Sequence, residues 1–121
     1  MVWKRMVMEL GMGTDIRGSD YTKAATRAVN NALRQNSLSV ADAFGKSPEE
    51  MRVDIHIGVQ QPDKVDHQAV VEVLPYGQGT VQVVKGGMDT PREDGSNGTI
   101  LANAALIVYL DLPEDADWIS A

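Results

Sequence analysis

Two groups of residues in this sequence have the types and spacing that chemistry needs. Asp54 and His56 stand two positions apart within residues 51–59, where apolar and polar residues alternate strictly. Such alternation is strand geometry, so the two side chains share one face about 7 Å apart. Histidine titrates near neutral pH and suits proton transfer. Glu9, on the first predicted strand, adds a third ionisable group if it faces the same side. Two carboxylates with one histidine also make a set that holds a divalent metal. The other histidine, His67, falls apart from them on a predicted helix, so no metal and no cofactor are expected. The alternative for Asp54 and His56 is a plain polar strand face, solvated or packed into a subunit interface.

The second group is Gly11-Met12-Gly13-Thr14-Asp15-Ile16-Arg17-Gly18, between a strand and a helix start. Free backbone N–H groups there suit an anion or a carbonyl oxygen. Arg17 and Lys23 add positive charge beside it. Gly11, Gly13, Thr14, Asp15, Arg17 and Lys23 are therefore the candidate ligand-binding residues. No Gly-Lys-Ser/Thr follows, and the third glycine is misplaced for a dinucleotide fingerprint. The competing reading is a tight turn that needs glycine for positive φ.

The elements that position these groups are legible from periodicity. Residues 2–10 read as a strand. A helix is read from residue 21 to near Gln35–Asn36, with Tyr21, Ala24, Ala25, Ala28, Val29, Ala32 and Leu33 on one face. That stripe is mostly alanine, so the helix is expected to approach a sheet closely. Ser19 or Asp20 is its expected cap. Residues 51–59 form the second strand, and 62–74 a second helix with Pro62 in its first turn. Residues 79–84 form the third strand, 85–100 a polar glycine-rich loop, and 100–112 a last, nearly all-apolar strand placed centrally. The acidic stretch 113–118 is expected to add a short helix or strand.

The expected fold is α/β (α+β): a four-stranded mixed sheet in the order β-α-β-α-β-β with helices on one face. At 121 residues the chain is read as a single domain, 1–121. The absence of cysteine excludes disulfides and a cysteine nucleophile. A net charge of -6 argues against nucleic-acid binding. No stretch reaches the roughly 20 apolar residues of a membrane span. We expect a soluble cytoplasmic protein, with no nucleic-acid and no membrane partner. Two helices cover one face of the sheet and leave the other open, so a homotrimer is expected.

The element order resembles the trimeric chorismate mutases of the AroH type and the YjgF-like reactive-intermediate deaminases. Residues 58–84, followed by Ile107-Val108-Tyr109-Leu110-Asp111-Leu112-Pro113-Glu114-Asp115-Ala116, carry that layout. Residues 11–29 resemble something narrower, the repeat unit of the ring-opening amidohydrolases (cyanuric acid hydrolase and barbiturase). The likeness lies in a glycine-rich turn followed by Asp20-Tyr21-Thr22-Lys23. It implies three chains with active sites between them. Met12 stands where that family has a lysine, and Ile57-Gly58-Val59 where it has a serine followed by glycines, so the resemblance does not imply its hydrolytic mechanism. The sequence also resembles a family of small, functionally uncharacterised bacterial proteins that carry GMGTD, NSL, LPYG and GGM. The expected function is binding of a small polar, amide-bearing or anionic metabolite at subunit interfaces, with proton-transfer chemistry by His56, Asp54 and Glu9. The alternative is a non-catalytic structural protein whose polar sheet face is only an oligomer interface.

Overall fold

The structure, a computed structural model, describes residues 1–35, 40–96 and 98–114, except for the Gln35 side chain. The chain opens with β1, Val2–Asp15. Helix α1, Tyr21–Gln35, follows, then the one-turn α2, Val40–Ala43. A 3-10 turn at Pro48–Glu50 leads into β2, Arg52–Val59. A second 3-10 turn, Pro62–Lys64, precedes α3, His67–Val71. Strands β3 (Gln78–Lys85), β4 (Met88–Thr90) and β5 (Thr99–Leu112) complete the described chain.

The sheet runs β1-β5-β2-β3, with β4 on β5. Both ladders made by β5 with β1 and β2 are antiparallel, and β2 pairs with β3 in parallel. The expected α/β class and mixed sheet hold. So does the central place of the apolar last strand, with β5 between β1 and β2. Helix α1 lies over β1 and β5, α3 lies over β3, and the two helices touch. The core sits between them and the sheet. Val53, Ile55, Ile57 and Val59 of β2 are buried there, with Ala102, Ala104, Leu106, Val108 and Leu110 of β5. Each buries an apolar side chain on one strand face, which stabilises by roughly 1.5–3 kcal/mol for the larger ones.

Three expectations change. The sheet has five strands among the described residues, because β4 forms inside the stretch read as a loop. Its three residues are all exposed, so backbone pairing to Thr99, Ile100 and Leu101 defines it rather than burial. The second helix is much shorter than 62–74. Pro62 starts only a 3-10 turn, and the helix begins where the Asp66 carboxylate accepts bonds from the Gln68 and Ala69 N–H groups. The first strand runs through both glycines to Asp15. The expected element at 113–118 falls mostly outside the described residues. No described helix is long and apolar enough to cross a membrane.

The glycines of β1 explain the close approach of α1. A Cβ on Gly13 would run into the backbone of Ala24 and Ala28, and one on Gly11 into the backbone of Ala28 and Ala32. The alanine stripe of α1 and the glycines of β1 thus meet backbone to backbone. Their role here is space, since neither glycine has positive φ.

Candidate functional site

The turn between β1 and α1 is closed by the chain's own carboxylate. Asp15 is buried, and its Oδ2 accepts from the Asp20 N–H at 2.8 Å. That bond holds its pKa below the usual carboxylate range. Burial opposes the shift, and the Gly18 N–H, Lys23 and Arg27 reinforce it. Ser19 takes a left-handed conformation with φ 51°, and Asp20 caps α1 by accepting from the Lys23 N–H at 3.0 Å. Asp15 therefore holds the Asp20 and Gly18 N–H groups at the head of α1.

A polar cavity opens beside this turn, with Ser19 in its wall. Tyr21, the first residue of α1, is only 5% exposed. Its hydroxyl donates to the Asp89 carboxylate of β4 and accepts from Gln61 Nε2 at 3.0 Å. Burial pushes the Tyr21 hydroxyl above its ordinary pKa, and the bond to Asp89 and its charge push the same way. The phenol stays protonated and acts as a donor. These groups wall a cavity of about 350 Å³, with Ser19, Lys64 and Ser96 also lining it.

Three distant segments are pinned together to make this cavity. Thr22 Oγ1 accepts from the Asp66 N–H at 2.9 Å and donates to the Lys64 carbonyl at 3.3 Å. That joins the turn before α3 to the start of α1. Gln60 Nε2 donates to the Gly86 carbonyl at 3.0 Å and the Gly87 carbonyl at 3.3 Å. That fixes the turn leading into β4, and so the position of Asp89.

The residues singled out in the sequence do not all meet. Asp54 and His56 share the sheet face turned away from the helices, opposite Ile107 and Ala105. Asp54 is held by Arg52 at 3.6 Å and by the Thr80 hydroxyl at 3.0 Å. Glu9 pairs with Leu106 on the helix-covered face, so the sheet separates it from Asp54 and His56. It is 4% exposed, neither of its oxygens has a hydrogen-bond partner among the described residues, and burial pushes its pKa up. Gly11 and Gly13 lie within β1 beneath α1. The Thr14 carbonyl accepts from Arg27 Nη1 at 2.6 Å. Arg17 and Lys23 are exposed at the surface. Among the described residues no group of three His, Cys, Asp or Glu is placed to hold a metal ion.

Sequence reasoning does not single out Tyr21, Gln61, Lys64 or Asp89 as site residues. The signal was present only for Tyr21, a tyrosine at the head of an alanine stripe. A buried tyrosine hydroxyl needs a partner, which its place on the buried face already demands.

No curated protein matches the chain. A crystal structure of a protein from Nostoc punctiforme, described as FtsZ-like and of unknown function, is 37% identical to it. That likeness covers 93% of this chain and 99% of the other, with a TM-score of 0.82. The model of the conserved hypothetical protein family Lin0512_fam matches residues 5–108, and the chain belongs to that family.

Proposed function

We propose that this is a cytoplasmic protein that binds a small polar metabolite in the cavity beside Tyr21. The observation that carries the reading is the Tyr21 hydroxyl, buried and held between Asp89 and Gln61 at the cavity wall. Pinning three chain segments around one cavity is the preorganisation that ligand recognition needs. Asp89 offers an acceptor, Lys64 a cation, and Ser19 and Ser96 hydroxyls. A ligand that presents an N–H to Asp89 and an anionic or carbonyl oxygen to Lys64 fits this set. The likeness of residues 11–29 to the ring-opening amidohydrolase repeat supports an amide-bearing compound. In a proton-transfer reaction Asp89 is the group placed to accept the proton. Tyr21, kept neutral, steadies the carboxylate through its hydrogen bond.

The test is thermal unfolding against a panel of small amides, ureas, carboxylates and phosphates. A ligand that binds only the folded chain stabilises it by about 2.7 kcal/mol at 100 times its Kd. Wild type should show a hit whose shift is lost in Asp89→Asn and in Lys64→Ala. A panel with no hit, or a hit that both variants keep in full, would leave a non-catalytic structural protein as the better reading.

A further inference from the structure

We infer that the sheet face turned away from the helices is the surface on which a second copy of this chain docks. On β1, Met8, Leu10 and Met12 stand on that face at 46%, 58% and 60% exposure. Register places Ile107, Ala105 and Asn103 of β5 beside them in that order. Between Met8 and Thr14 on β1, and between Leu101 and Ile107 on β5, this face carries no charged residue. An exposed apolar stripe of this kind is characteristic of an interaction surface.

The occupant follows from area, relief and the state of the strand edge. Four strands about 4.8 Å apart, two of them about 46 Å long and two about 26 Å, give a face on the order of 700 Å². A stable interface takes about 800 Å² from each partner. A hollow of about 390 Å³ opens beside Leu10 and Met12, with Asn103 in its wall. Protruding side chains and a hollow on one surface supply the self-complementary relief that copies of one chain need. The outer edge of β1 is already engaged by α1. Asn31 Oδ1 accepts from the Met12 N–H at 2.9 Å, and Arg27 takes the Thr14 carbonyl. Pairing through the outer edge of β1 is thereby blocked at these two positions, which leaves the apolar stripe beside it for face-to-face contact. The net charge of -6 on each chain opposes association in general, but none of it is concentrated on this stripe. Charged and polar groups border the stripe on the same face and are covered with it: Arg5 reaches the Met8 sulfur at 3.4 Å, Asp54 and His56 lie beside Ile107 and Ala105, and Arg52 lies over Trp3 and Tyr109. This surface is independent of the ligand cavity beside Tyr21.

The experiment is light scattering on the full chain at tens of micromolar, with and without Leu10→Arg/Met12→Arg. Wild type should show two or three times the 13.1 kDa of one chain, and the double variant one chain's mass. Ile16→Arg, equally exposed but beyond β1, should keep the wild-type mass. Circular dichroism reports whether the double variant is folded. If it is not, Met8→Arg alone tests the same face. A monomeric wild type overturns the inference, and so does an oligomer that the folded face variants leave intact.

Discussion

Gly13 of β1 lies directly beneath Ala28 of α1, with no space for a side chain between the two backbones. Gly11 stands in the same relation to Ala32. The obstacle is helix backbone, which cannot swing aside as a side chain would. Gly13→Ala should therefore destabilise by about 3 kcal/mol, at the upper end for overpacking. Gly11→Ala should behave similarly. Urea unfolding measures it, and an unchanged midpoint for both would show that α1 sits farther from the sheet.

Glu9 should be a carboxylate that the fold tolerates rather than uses for stability. Its pKa is raised by burial, so folding holds its proton more tightly than the unfolded chain does. Below about pH 4.3, the ordinary glutamate value, the group is neutral in both states and has no effect. As pH rises through the raised native value, stability is lost. Glu9→Gln should match wild type near pH 4 and exceed it at neutral pH by about 1–3 kcal/mol, the range for a buried unsatisfied group. Unfolding curves at both pH values decide it. A less stable variant at neutral pH would mean the carboxylate has a partner in the fold.

Asp15 should behave in the opposite sense. Its pKa is lowered first by the Asp20 N–H, so the ionised form stabilises the fold. That stability is present above the unfolded value near 3.9 and disappears as pH falls through the native value. Asp15→Asn should lose stability at neutral pH, and its deficit should shrink as the solution is acidified below about pH 4. A deficit that does not change with pH would assign the loss to shape rather than charge.

Neighbours on β2 should differ sharply. Ile55 is buried in the core, while His56 faces the open side of the sheet. Ile55→Ala should cost about 2–5 kcal/mol. His56→Ala should cost much less, because its side chain lies outside the core on the other face of the sheet. Equal large losses would place His56 in a structural role.

Strands β2 and β5 were legible because alternation and a long apolar run report burial directly. The close seat of α1 was legible in its alanines. In sequence Gly11 and Gly13 look like a loop because glycine serves both turns and close contacts. Only the backbone of α1 above them distinguishes the two. The face of Glu9 was hidden by a register shift between Arg5 and Val7, which reverses the parity of β1. β4 left no hydrophobic signal, since Met88, Asp89 and Thr90 are all exposed. The pairing of Tyr21 with Asp89 joins positions 68 residues apart, and a side-chain pair at that distance leaves no periodic trace.

Binding at the cavity beside Tyr21 can be observed residue by residue. Its most direct test is an amide-resolved NMR titration of the labelled protein with the strongest hit from the ligand panel. Shifts should concentrate at Ser19, Tyr21, Gln61, Lys64 and Asp89, saturate together and be lost in Asp89→Asn. Shifts centred instead on Asp54 and His56, or spread over the chain without saturation, would contradict it.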